Sequence, residues 1–123
     1  EEGSIPSVSV DYDVEDDIPA SIARCFFAVT RESLTNAARH GRASQASIHV
    51  TGFPAFWQLV VSNNGAVPNL RTVGSRGFAA MLSEPGMGIR SMQERVEALG
   101  GTFHISCEHE FKVFASIPKK GVQ

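Results

Sequence analysis

Glu32, Asn36 and His40 recur four residues apart, with Ser33 beside the first, so a helix would carry a carboxylate, a hydroxyl, an amide and an imidazole on one side. Ile22, Cys25, Phe26 and Val29 lead into this stripe at the same three-and-four spacing. The face expected to meet the core therefore turns polar without losing its period. Buried polar groups cost about 1–3 kcal/mol each when left unsatisfied, so the stripe predicts the wall of a polar cavity. A second feature is Gly86-Met87-Gly88 before the helical run Ile89-Arg90-Ser91-Met92. Helix N-termini favour phosphates through their amides and dipole, and glycine lets a ligand approach the backbone. The plainer alternatives are a solvated face with i,i+4 pairing for Glu32, Arg39 and His40, and an ordinary loop for the glycines.

The elements that must position these groups alternate between strand and helix. Residues 7–12 alternate through Val8 and Val10, and a helix is expected over 19–40, with Asp16 and Asp17 as acidic capping groups, Pro19 early and Gly41 at its end. Strands follow at 46–50 and 56–62, joined through Gly52 and Pro54; Leu59-Val60-Val61 reads as a central strand covered on both faces. From 64 to 86 glycines and prolines interrupt any period, although Phe78-Ala79-Ala80-Met81-Leu82 suits a short helix, and 66–85 reads as a lid. A helix at 89–99 stops at Gly100-Gly101, and 102–107 with 111–117 form a hairpin turning at Glu108-His109-Glu110. The expected fold is a two-layer α/β (α+β) sandwich, with helices over one face of a mixed sheet. Trp57, Phe26 and Phe27 are assigned to the core. His49 and His104 are assigned to exposed strand positions, and His109 to a turn.

A chain of 123 residues, 42% of them hydrophobic, can bury one core and is short for two domains. The formal charge of −2 and the scattered basic residues argue against direct nucleic-acid binding. Cys25 and Cys107 have no second cysteine at metal-ligand spacing, which suits a reducing, cytoplasmic setting. The sequence holds no apolar run long enough for a membrane span, and Glu1-Glu2-Gly3 is unlike a secretory signal. A membrane sensor, if the parent protein has one, lies outside these residues. One domain over 1–123 is expected, with 1–6 and 119–123 frayed.

Three segments together, Glu32-Ser33-Leu34-Thr35-Asn36-Ala37-Ala38-Arg39-His40, Ser62-Asn63-Asn64-Gly65 and Gly86-Met87-Gly88-Ile89-Arg90-Ser91-Met92, resemble in order and spacing the C-terminal ATP-binding catalytic domain of two-component sensor histidine kinases. The resemblance runs from about Val8 to Pro118. Met92-Gln93-Glu94-Arg95-Val96 through Leu99-Gly100-Gly101 is similar to the subclass whose response regulators carry helix-turn-helix outputs. It implies the Bergerat-type nucleotide fold shared with gyrases and the ninety-kilodalton chaperones: a mixed, mostly antiparallel sheet of about five strands. It also implies ATP and Mg2+ as ligands, with Asn36 on the metal and Glu32 holding a metal-bound water or orienting the attacking group. Nucleotide contacts would fall to Asn36, Arg39, His40, Asn63, Gly65, Gly86, Gly88 and Ile89. Partners would be a phosphoacceptor histidine on a dimerisation domain and a response regulator aspartate.

The chain departs from that pattern at the second segment. The family's Asp-x-Gly-x-Gly places a carboxylate against the adenine amino group; here Asn63-Asn64-Gly65-Ala66-Val67 lacks both the acid and the second glycine. A neutral amide acceptor weakens that bond by about 1–2 kcal/mol, roughly tenfold in affinity. Glu110-Phe111-Lys112 also replaces a Gly-Thr pair often found in the terminal hairpin. Two other readings stand beside the kinase: an anti-sigma-factor serine kinase of the same fold, and a non-catalytic module for protein-protein signalling.

Overall fold

The computed structural model describes residues 5–65, 88–107 and 109–119, and for His40 and Gly41 the backbone alone. Its elements are β1 (Ser7–Asp13), α1 (Ala20–Asn36), a π-helical turn (Ala37–Gly41), β2 (Gln45–Gly52), β3 (Phe56–Asn63), α2 (Ile89–Ala98), β4 (Thr102–Ser106) and β5 (Phe111–Pro118). The five strands lie in the order β1-β2-β3-β5-β4. β1 runs parallel to β2, and every other pairing is antiparallel. This is the mixed, mostly antiparallel sheet expected from the sequence.

Side chains alternate across a strand, so Trp57, Leu59, Val61 and Asn63 share one face of β3. Their cross-strand neighbours on β5 are Ile117, Ala115, Val113 and Phe111. Ile22, Cys25, Phe26 and Val29 of α1, with Ile89, Met92 and Val96 of α2, close over that face. Period two on the sheet meets period 3.6 on the helices, and one core results.

Several expectations need correction. Leu59-Val60-Val61 is central but covered on one face: Val60 lies in the row His49, Val60, Phe114, His104 on the other side. His49 and His104 are exposed there, as expected, with His49 Nδ1 3.4 Å from Asp11 Oδ2 and the His104 ring 5.6 Å from Phe114. Phe27 is 65% exposed instead of buried. It lies about 100° around the helix from Phe26 and carries the Arg31 guanidinium 5.6 Å from its ring.

Both ends of α1 differ as well. No side chain caps its start; Pro19 is the N-cap, and its carbonyl accepts from the Ile22 and Ala23 amides at 3.0 and 2.9 Å. Asp16 accepts instead from Trp57 Nε1 at 3.2 Å and pairs with Lys119 Nζ at 2.8 Å. Lys119 also donates its amide to Ala55 O at 2.9 Å, so the tail is anchored at its first residue. At the other end, Gly41 does not stop the helix. The chain loosens into the π turn, and Arg42 takes the left-handed conformation, φ 53°. Ala37 O then receives the amides of both Arg42 and Ala43.

α2 ends as expected, with Gly100 at φ 80° and the Gly101 amide bonded to Val96 O at 3.0 Å. The expected lid over 66–85 and the short helix within it lie outside the described residues. No described helix is long and apolar enough to cross a membrane.

Candidate functional site

The inward stripe of α1 keeps its register as its chemistry changes. Val29 is wholly buried, and one and two turns later Ser33 and Asn36 are buried too, each 4% exposed. Glu32 flanks them, half-buried. Asn36 is the last α-helical residue, and the π turn follows at once. Such widened turns re-aim the side chains after them and recur at functional sites. Arg39 emerges from this one exposed. The His40 side chain lies outside the described residues.

α2 meets this face at its own start. Gly88 is its N-cap, left-handed at φ 66°, and its carbonyl accepts the Met92 amide at 3.0 Å. A methyl group built on Gly88 would stand 2.6 Å from both Glu32 Cδ and Oε2, and 2.8 Å from Cγ. Glycine is therefore required twice, by its dihedral and by the carboxylate against it. One turn on, Ser33 Oγ donates to Met92 Sδ at 3.6 Å within the core. Ile89 and Met92 are buried beside it. Glu32 thus lies where the partial positive charge of the α2 N-terminus is felt.

The end of β3 completes this side of the domain. Asn63 is 6% exposed, and its Oδ1 accepts the Gly65 amide at 2.8 Å, an Asx turn. Asn64 fastens the chain that returns from α1: its Oδ1 accepts from the Ser44 and Gln45 amides, both at 3.0 Å, and its Nδ2 donates to Ser44 Oγ at 3.0 Å. Ser47 and Ser62 hydroxyls pair across β2 and β3 at 2.6 Å. A cleft of about 290 Å³ lies at this end on the other face of the sheet, the face of His49 and Val60, bordered by Ser7, Ser9, Ser47 and Ser62 and reaching Asn63 at its edge.

The structure thus brings Glu32 and Gly88 together, keeps the buried Asn36 one turn beyond Glu32 on α1, and sets Asn63 and Gly65 at the same end of the sandwich. Gly86 lies outside the described residues. Sequence reasoning missed the Asn64 clamp; its signal was an asparagine directly after an apolar strand, a residue type suited to bonding nearby backbone.

Comparison with known proteins bears on the fold, although no family model matches the chain. Over 96 residues it is 32% identical to the signal transduction histidine-protein kinase/phosphatase UhpB of Salmonella typhimurium, an alignment covering 78% of this chain and 17% of that protein. It is 25% identical over 99 residues to the sensor protein VraS of Staphylococcus saprophyticus, covering 80% of this chain and 26% of the relative. In structure it is similar to the blue-light activated histidine kinase of Erythrobacter litoralis, with a TM-score of 0.66 and 20% identity over 90% of this chain and 37% of that one. The histidine kinase AdeS of Acinetobacter baumannii gives a TM-score of 0.63 and 19% identity over 94% of this chain and 56% of the other. The chain has the fold of histidine kinase catalytic domains, and its sequence is similar to sensor histidine kinases. It spans between 17% and 26% of the length of these two curated relatives. In this domain the polar stripe of α1, the Gly88 start of α2 and the Asn63 loop lie toward one end of the fold.

Proposed function

We propose that this domain binds a magnesium-chelated nucleoside triphosphate, ATP by the resemblance, and donates its γ-phosphoryl group to a histidine on a dimerisation domain outside these residues. One observation carries the reading: the polar stripe of α1 abuts the glycine-capped start of α2, so that no room for a methyl group remains between Gly88 and Glu32. The junction sets the Glu32 carboxylate at the start of α2, one turn from the buried Asn36 amide, and this grouping of oxygen donors suits a polyphosphate and its metal. The donor set fits magnesium, which takes oxygen ligands and keeps waters.

Asn36 would hold the metal through its amide oxygen, and Glu32, one turn earlier, would hold a metal-bound water or orient the incoming histidine. When bound, the metal supplies neutralisation of charge on the phosphates. The amides opening α2 at Ile89 would face phosphate oxygens, and Arg39, exposed on the π turn, would add a charge independent of pH. His40, Gly65 and Gly86 remain candidates for nucleotide contact on the same reading. The domain itself positions and stabilises; the nucleophile comes from elsewhere. The phosphoryl group would pass on to an aspartate of a response regulator. The subclass likeness suggests a regulator with a helix-turn-helix output, and the setting would be the cytoplasmic side of the parent sensor.

The test is calorimetric titration of the domain with nucleotide in magnesium, repeated with Asn36→Ala. Micromolar to millimolar binding that needs magnesium and disappears in a folded N36A variant is expected. Absence of heat with every purine nucleotide up to millimolar concentration would overturn the reading. It would favour a non-catalytic signalling module, for which Asn63, its oxygen turned to Gly65, is the supporting observation.

A further inference from the structure

An amide at position 63 changes what the base meets. The Gly65 amide can only donate, so the carboxamide of Asn63 must turn Oδ1 toward it, and the 2.8 Å bond shows that orientation. The amino group Nδ2 is then left on the other side of the planar carboxamide. A carboxylate held by the same Gly65 amide would present a second acceptor there. Asn63 presents a donor in the same place. The bond lies within the loop that closes β3, and Asn64 pins the next residue to Ser44 and Gln45 through three contacts. Flipping the amide would set its NH2 against the Gly65 N–H, two donors face to face, so the local chemistry holds the donor outward.

Resting on the nucleotide reading above, in which the side chain at position 63 faces the six-position of the purine, we infer that Asn63 tilts this site away from adenine and toward 6-oxopurine nucleoside triphosphates. Adenine offers an amino group at that position, which meets Nδ2 donor to donor. Hypoxanthine and guanine offer a carbonyl oxygen, which Nδ2 can bond. Hypoxanthine is the cleaner probe, because it differs from adenine at the six-position and the adjoining N1 proton and lacks guanine's additional amino group.

The experiment titrates the wild-type domain and Asn63→Asp with ITP and with ATP, each in magnesium. The aspartate of N63D still accepts the Gly65 amide, so the loop is expected to keep its form, checked by an unchanged melting temperature. Wild type is expected to bind ITP more tightly than ATP by about three- to tenfold, and N63D to reverse the order in favour of ATP by about tenfold. Wild type preferring ATP, or a ratio of the two affinities that N63D leaves unmoved, overturns the inference while the nucleotide site stands. Failure of both proteins to bind either nucleotide at millimolar concentration overturns the inference and the nucleotide reading together.

Discussion

Gly88→Ala perturbs the junction on which the functional reading rests, and its cost can be worked from the structure. Gly88 sits at φ 66°, where an L-residue loses about 1–2 kcal/mol relative to glycine. The new methyl would lie 2.6 Å from Glu32 Cδ and 2.8 Å from its Cγ, so turning the carboxylate alone cannot clear it; the side chain must leave its rotamer. An off-rotamer side chain adds about 1 kcal/mol. The sum, about 2–3 kcal/mol, corresponds to a fall in melting temperature of roughly 8–12 °C at about 4 °C per kcal/mol for a domain of this size. Urea denaturation of wild type, G88A, Glu32→Ala and the double variant forms a cycle that separates the two contributions. Removing the Glu32 side chain should recover about 1 kcal/mol of the G88A loss and leave the backbone part. Additive single losses would refute the reasoning, because they would mean that Glu32 does not stand against Gly88. Nucleotide affinity should fall in G88A and return only partly in the double variant, since Glu32 is itself assigned to the site.

Three further outcomes are expected. Asp16 is held below the ordinary carboxylate range, chiefly by its bond to Lys119 and then by that to Trp57, so its contribution to stability is full above roughly pH 4 and is lost as pH falls through its lowered value; the difference in melting temperature between wild type and Asp16→Asn should accordingly shrink in strong acid, and a pH-independent difference would contradict this. Arg42→Gly relieves a left-handed non-glycine residue and should raise stability by up to about 1 kcal/mol in thermal melts, whereas a loss would show that the Arg42 side chain matters more than its dihedral. Asn64→Ala removes three bonds to the Ser44-Gln45 backbone and hydroxyl and should cost about 1–2 kcal/mol in denaturant titrations, with faster amide exchange at Ser44 and Gln45 than elsewhere in β2.

Much of this arrangement was legible in the residues themselves. The α1 stripe from Ile22 to Asn36, the alternation of β3 and the Gly100-Gly101 stop all follow from side-chain period and backbone permissiveness, which are local properties. What escaped depends on partners distant in sequence or on backbone winding. The π turn is invisible in Ala37-Ala38-Arg39-His40-Gly41, because side-chain types do not report whether an amide reaches back four residues or five. Asp16 looks like a helix cap until Trp57 and Lys119, 41 and 103 positions away, are folded against it. Phe27 looks like core beside Phe26, and only the position of the sheet decides which of two neighbouring aromatics turns inward. For the candidate site, sequence order supplied Glu32, Asn36 and Gly88, while the contact between the first and last required coordinates.

The distribution of buried polarity explains why stability and ligand binding should be separable in this domain. Among the described residues, the buried polar side chains are Ser33, Asn36, Ser62 and Asn63. They fall on the final turn of α1 and the final residues of β3. β3 begins at the other end, where Trp57 bonds Asp16 just before α1 starts, and Asn64 ties its far end to Ser44 just after α1 stops, so the two elements run in the same sense. The Asp16, Trp57 and Lys119 clamp therefore closes one end with an ion pair and an aromatic contact, and the middle is hydrocarbon through Val29, Leu59 and Val61. The opposite end carries amides and hydroxyls whose burial gains little by itself, since a hydrogen bond within the protein replaces one to water. On the proposed reading, recognition resides in the third region and most of the stability in the first two. Substitutions at the clamp should move melting without moving affinity, while conservative changes at Asn36 or Asn63 should do the reverse, and Gly88, which joins the core of α2 to the polar end, is the position where the two effects cannot be parted.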